Sequence, residues 1–524
     1  MGEITQAKDF PPLPLDVVNA VIREIQKNRP LFLYSYPLND VSLVVRLFQT
    51  AFSESTPVSA AHLACTYGAL YFILREFRYL QNPICQRLDF NEAISLADNK
   101  FDALLKDYNV LSVPSFGNVL ALTLGAMKAQ NQGSPFLNCT LISAAASHCQ
   151  SLGYNHDSGH GNSSNSRRLF WCVYMLEKEV SMFFGRASAL QDADIDVALP
   201  VFSHKQPFER WDRLFEAGIK LAKIQERIYN DLYSRKSLEL GQTERENKIH
   251  DIVQKARHFY DNRMYYTLTV SDGKERLFRL AGDILGTKES ATLTTLLRAP
   301  SSSKTGQTHI RPECFKAART TLKLYLHCSR ACELGGLSSE TERYRDWGLL
   351  SCVLTPFMVI TLHAIASSSA EDITLLNDVV STLEQIQAVS PSKSCEKLYK
   401  LTVSFAKAAS GFVQRRESIH EVSRWRYSQQ DDSLSLASMD REVGTAKRLP
   451  KGRLGSSATW ASASASLVFT RNTDEGSLFQ QVMDEDMREV VGGNAEELFR
   501  VLEGFTGGGL VSVLDVFGGG FLDA

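Results

Sequence analysis

The chain has 524 residues, a mass of 58.4 kDa and a formal net charge of −2, with 44 % hydrophobic and 22 % charged residues. A chain of that length can bury a large core, and the balance is ordinary for a soluble globular protein. It excludes a global attraction to nucleic acid or to an anionic membrane, and no run of about 18 apolar residues suggests a membrane-spanning helix.

Residues 1–12 form a short N-terminal extension without the basic start and apolar stretch of a signal peptide, so an intracellular chain is expected. From 13 to 420 the text is helical. DVVNAVIREIQ, SLVVRLFQTAF, AAHLACTYGALYFILREFRYL, FNEAISLADNKFDALLKDY and WDRLFEAGIKLAKIQERIYNDLY all repeat apolar residues three and four apart. Pro57, Pro83, Pro114 and the Gly-Ser-Pro at 133–135 punctuate these runs. Alternating β-branched strands are nearly absent. The fold class expected is all-α, a large array of mostly antiparallel helices with short connections. A flexible loop at 299–313, APSSSKTGQTHIRPE, separates a proximal from a distal part, either as two domains or within one unit.

After 420 the character changes. Residues 421–473 read as a disordered Ser-rich linker, with a small basic cluster of Lys447, Arg448, Lys451 and Arg453 that fits a nuclear-import signal or a solvated linker. Residues 474–524 hold eleven Asp or Glu against two Arg, interleaved with Leu, Phe and Met. That composition suits a disordered activation segment whose apolar face folds into a partner's groove; the plainer reading is an amphipathic helix docked on the body.

The segment 148–200 is the most informative. It reads as a buried helix, a polar loop, and a long amphipathic helix starting near Ser166 with Leu169, Val173, Leu176 and Val180 on one face. Gly185 can adopt the left-handed conformation that ends a helix. Asp192, Asp194 and Asp196 then alternate with Ala193, Ile195 and Val197 before Pro200.

In this order the segment resembles the signature of the fungal-specific transcription factor domain, the middle homology region found downstream of zinc-cluster DNA-binding domains in fungal regulators. Leu152-Gly153, Arg167-Arg168, Phe170-Trp171, Gly185-Arg186 and Asp194 to Pro200 carry the likeness. Glu177-Lys178 stands where the family has Asp-Arg, and Ala187 stands where it has proline. Residues 11–36, 314–328 and 354–386 resemble the start and the distal half of that domain, so the likeness covers roughly 11–420. It implies a nuclear regulator of transcription, with the cytoplasm as the alternative. The partners implied are the transcriptional machinery or a DNA-binding partner, and a small-molecule effector. The signature residues Gly153, Arg167, Arg168, Phe170, Trp171, Gly185, Arg186, Asp194, Asp196 and Pro200 are expected to be structural.

The ten cysteines contain no Cys-x-x-Cys pair and mostly lie in apolar helical text. No cofactor is expected in this chain. Zinc would enter only with a cysteine cluster upstream of Met1, where DNA contact would then reside; otherwise a co-regulator, or a helical interaction or ligand-binding protein without direct DNA contact, is expected. His156 and His160 flank Gly159 in loop text, and His327, Cys328 and Cys332 fall on a helix with too few ligands for a metal. Both sets read as structural. No Walker loop, Gly-x-Ser-x-Gly or His-Glu-x-x-His appears, so catalysis has no support. Arg167 and Arg168 begin a helix, where positive charge opposes the dipole unless paired. An acid from Asp192 to Asp196 is their expected partner, with Arg186 joining the same set.

Overall fold

The computed structural model describes residues 12–35, 37–53, 58–86, 89–106, 113–157, 163–203, 208–261, 275–299, 308–333, 352–389, 393–437 and 467–469. Among these residues the chain folds into fifteen α-helices. The first, α1 (Leu15–Lys27), puts Val17, Val18, Val21, Ile22 and Ile25 on one buried stripe. A single turn, α2 (Phe32–Ser35), precedes α3 (Val41–Ala51). The Asp40 carboxylate caps α3 by accepting the Ser42 and Leu43 amides at 2.9 and 3.2 Å.

Next come α4 (Ala60–Tyr79), α5 (Phe90–Lys106), α6 (Phe116–Asn131), α7 (Pro135–Ser151) and α8 (Ser164–Phe183). Ser59, Ser115 and Ser163 cap α4, α6 and α8 through their hydroxyls, and Pro135 opens α7 where no amide is needed. The chain continues through α9 (Phe208–Ile228), α10 (Gln242–Asp261), α11 (Glu275–Arg298) and α12 (Pro312–Glu333). It closes with α13 (Leu354–Ser367), α14 (Ala370–Val389) and α15 (Lys393–Ala437). Neighbours in sequence pack pairwise: α4 on α5, α6 on α7, α8 on α9, α11 on α12 and α14 on α15. The helices are thus neighbours joined by short connections, as the periodicity predicts. A three-residue antiparallel pairing, Thr308–Ile310 with Leu467–Phe469, is a small departure from an all-α chain.

One continuous apolar core runs from α1 to α15 and includes Val21, Leu70, Phe170, Tyr325, Phe357 and Phe405. Leu297 and Cys314, on either side of residues 300–307, both belong to it. A smaller cluster of Ile228, Leu232, Tyr233, Ile249 and Leu296 ties the end of α9 to α10 and α11. Close packing is tightest where helices lack a Cβ. A methyl group on Gly68 of α4 would lie 2.9 Å from the Phe101 ring of α5.

Several helix ends share one device. Gly133, Gly153 and Gly185 have φ of 65°, 68° and 63°. The next amide in each case bonds back five residues, Ser134 to Ala129, Tyr154 to Cys149 and Arg186 to Ser181, at 2.9, 2.9 and 3.0 Å. This satisfies carbonyls that the helix end leaves open. Gln81 and Ser368 occupy the same left-handed position at φ 50° and 51° although each carries a Cβ.

Helix α15 continues to Ala437, so the expected start of the linker at 421 falls within a helix. Residues 421–437 lack a sustained apolar period and include four Ser and two Asp, so local sequence does not mark a helix there. The import cluster Lys447, Arg448, Lys451 and Arg453 and the acidic tail 474–524 lie outside the described residues.

Among the described residues no helix is long and apolar enough to cross a membrane. Cys65, Cys149, Cys172, Cys314, Cys328, Cys352 and Cys395 are buried, whereas Cys85 and Cys139 are partly exposed.

Candidate functional site

The signature residues converge on α8 and the segment that follows it. The periodicity suggests an amphipathic α8, but the helix is buried nearly all round from Ser166 to Ser181, charged residues included. Leu169, Phe170, Trp171, Cys172, Val173 and Tyr174 are all inside. A helix in that position must match every polar group it carries with a partner.

The partners come from residues 186–203, which run back along α8 from its C-terminal end toward its start. Glu177 accepts the Ala189 amide at 2.8 Å and the Ser181 hydroxyl at 2.7 Å, and it also accepts the Ser188 hydroxyl. Lys178 donates to the Leu190 carbonyl and to Glu226 of α9. Tyr174 donates its hydroxyl to Asp192 at 2.6 Å. One turn earlier, the Trp171 indole N–H meets the Ala198 carbonyl at 2.9 Å. At the start of the helix Arg168 donates to Asp212 at 3.0 Å, and the other Asp212 oxygen accepts the Ser203 amide at 2.8 Å. Residues 177, 178, 174 and 171 thus meet residues 189, 190, 192 and 198, and Arg168 and Ser203 share Asp212.

Arg168 is 1 % exposed. Its guanidinium also donates to the Tyr34 carbonyl at 2.9 Å and lies 4.7 Å from the centre of the Phe215 ring. It therefore joins α8 to α9 and α2, and not to the acids at 192–196. Arg167 pairs with Asp157 at 3.1 Å, and Arg186 donates to Ser143 at 2.7 Å and stands 4.0 Å from Glu177. The expected pairing of these three arginines with Asp192 to Asp196 is corrected on geometry. The return segment brings Asp192 opposite the middle of α8, where Tyr174 and Lys178 project, while Arg168 at the helix start is taken by Asp212 of α9.

The other two acids fasten the turn after α7. The Asn155 carbonyl accepts the Asp196 and Val197 amides at 3.1 and 3.2 Å, and its side-chain amide donates to the Asp194 carbonyl at 2.9 Å. The Asp196 carboxylate accepts the Asp157 amide at 2.9 Å and lies 3.3 Å from His156 Nδ1. Gly153 supplies the left-handed turn that aims Asn155 at this segment, and Pro200 is buried at its end.

The charges at the centre of the site are perturbed. Burial, then the nearby Asp192, pushes the Glu226 carboxyl up to about 7 despite its contact with Lys178. Burial disfavours the charge of Asp192 too, but its hydrogen bonds with Glu226 and Tyr174 and the charge of Lys178 win and hold its carboxyl below the usual range. Burial and the bond to Asp192 push the Tyr174 hydroxyl up. Lys178 itself has no exposed side-chain surface. These groups form a fastening between α8, the return segment and α9.

Sequence reasoning singled out the arginines, the aromatics and the glycines, and missed Tyr174, Glu177, Asp212 and Glu226 as parts of the site. Glu177-Lys178, inside an otherwise apolar helical run, was the available signal: two charges in a helix that is buried all round demand partners. The departure from Asp-Arg keeps both charges, and both are used.

Among the described residues no group of three or more His, Cys, Asp or Glu is placed to hold a metal ion. Burial pushes the Cys65, Cys172 and Cys314 thiols up to about 12. His327 lies 3.4 Å from Asp283, and Cys328 is buried beside the Thr287 hydroxyl at 3.7 Å. His160 and the Cys332 side chain lie outside the described residues.

Comparison with known proteins bears on the same segment. An uncharacterized transcriptional regulatory protein of Schizosaccharomyces pombe is 30 % identical over 290 residues, covering 51 % of this chain and 44 % of that protein. An ABC-transporter-regulating transcription factor of Aspergillus fumigatus is 23 % identical over 282 residues, covering 50 % of this chain and 30 % of its own length. Transcription factor oryO of Aspergillus oryzae is 27 % identical over 189 residues, covering 35 % and 22 %. The chain spans less than half the length of these relatives. The family model described as the fungal specific transcription factor domain matches residues 77–262, from the last turn of α4 past the end of α10, with α8, the return segment and α9 inside it. This chain therefore carries a fungal specific transcription factor domain, at residues 77–262.

Proposed function

We propose that the chain is the helical regulatory part of a fungal transcription regulator and not an enzyme. DNA contact would come from a zinc cluster outside this sequence or from a DNA-binding partner. The match of residues 77–262 carries this reading, because it covers the one segment in which α7, α8, the return segment and α9 are locked together. The helical body would tune transcription by changing its affinity for the transcriptional machinery, for a partner or for a small-molecule effector. Such tuning requires two states that the effector binds unequally. The expected location is the nucleus, with Lys447, Arg448, Lys451 and Arg453 as the import cluster.

The test fuses the full chain to a heterologous sequence-specific DNA-binding domain in a fungal reporter strain, with a fluorescent tag to follow location. A severalfold change in reporter transcript, up or down, relative to the DNA-binding domain alone supports the reading. Replacing the four basic residues by alanine should move the untethered, tagged chain to the cytoplasm. An unchanged reporter together with constitutive cytosolic location would leave a helical interaction or ligand-binding protein with no role in transcription.

A further inference from the structure

Lys178, Asp192 and Glu226 hold the middle of the return segment, and their charges do not balance. The Lys178 ammonium touches Glu226 and the Leu190 carbonyl and lies 3.8 Å from Asp192. Glu226 also accepts the Asp192 amide at 3.2 Å, and Asn230 donates to it at 3.4 Å. From α8, Tyr174 spends its hydroxyl on Asp192, and the buried Glu177 adds a further negative charge that Arg186 faces at 4.0 Å. From α9, Lys223 lies over the Trp171 ring at 5.2 Å and helps to hold Asp192 ionised. From α11, Lys288 is committed to Glu179 at 2.6 Å. Two carboxylates therefore lean on one wholly buried ammonium: Glu226 is enclosed with it, where an unmatched charge is costly, while the Asp192 side chain is 42 % exposed.

We propose that the Lys178–Asp192–Glu226 cluster is a proton-operated latch: with a proton on the carboxyl pair the return segment is fastened to α8 and α9, and loss of that proton loosens residues 188–196. The proton sits on Glu226, the more enclosed carboxyl, while Asp192 stays ionised. Loss of the proton places a second full negative charge against Asp192 and leaves Lys178 to serve both.

The direction with pH follows from the raised carboxyl. A loosened segment returns Glu226 toward its ordinary value of 4.5, whereas the latched form holds it at about 7. The latched form thus keeps a proton that the loosened form gives up. Its advantage is complete below pH 4.5, declines between 4.5 and 7, and is gone above 7. The two midpoints make loosening about tenfold more favourable at pH 8 than at pH 6. The proposal concerns the folded chain alone and stands apart from its role in transcription.

Hydrogen–deuterium exchange on the full chain at pH 6, 7 and 8 tests it, corrected for the intrinsic rates of the same peptides. Protection of peptides spanning 188–196 should fall about tenfold from pH 6 to pH 8. Peptides from α13 should keep constant protection. Glu226→Gln has no proton to lose and should flatten the dependence. Asp192→Asn, which removes the opposing charge and can still accept from Tyr174, should shrink it if the glutamine variant does not fold. Protection at 188–196 that ignores pH in the unaltered chain, or that falls equally in a folded Glu226→Gln, overturns the latch. So does a full tenfold fall that persists in Asp192→Asn.

Discussion

Lys178 and Arg168 are cations with almost no contact with water, and each is held by a carboxylate on α9. Removing one partner of such a pair leaves the other charged and buried. At pH 8, where Glu226 has given up its proton, Lys178→Met should therefore cost about 3–5 kcal/mol in urea unfolding. Lys178→Met combined with Glu226→Leu should recover most of that loss, because replacing both charges by apolar groups is close to neutral. A double variant no more stable than the single one would mean that the two residues do not act as a unit. The failed pairing of Arg167 and Arg168 with the acids at 192–196 is instructive at this scale. The sequence shows that charges need partners, but the partner depends on where a loop crosses a helix: Asp192 meets Tyr174 in the middle of α8, and Arg168 at its start meets Asp212 of α9.

Between residues and the whole, the helix ends set where each segment goes next. Gly185 turns the chain so that residues 186–203 can run back along α8, and its φ of 63° suits a residue without Cβ. Gly185→Ala should lower stability by about 1 kcal/mol through left-handed strain, read as a lower melting temperature. Ser368→Gly, at φ 51°, should act in the opposite sense and gain about 0.5 kcal/mol. A loss from Ser368→Gly would show that its side chain contributes more than its backbone costs. Gly185 was legible because it ends an apolar run. Ser368 and Gln81 were not, since nothing in their chemistry marks a left-handed position. The helices themselves were legible from their spacing, as α1, α3, α4, α5 and α9 show. The full burial of α8 was not, because a charged residue reads as a solvated face until a buried partner is known.

For the molecule as a whole, one core extends from α1 to α15, well beyond the residues 77–262 that match the family. The sequence made an all-α array legible, together with the segment 148–200 that concentrates the long-range bonds. Which helices touch across the array rests on packing between residues more than a hundred apart, such as Arg168 with Tyr34, and periodicity carries no such information. The placement of the cysteines gives this core its own set of clocks. Among the described residues seven thiols are buried, six of them within it on α4, α7, α8, α12 and α15, with Cys352 just before α13. An alkylating reagent added to the native chain should mark Cys85 and Cys139 first, slowed because burial raises both thiols, and leave the sealed thiols to react only as their helices open. Peptide-resolved labelling over hours would then rank the helices by how often each one breathes. Cys172 reacting as fast as Cys85 would mean that α8 is open to solvent. Slow reaction at Cys172 and faster reaction at Cys395 would identify the distal helices as the part of the core that yields first.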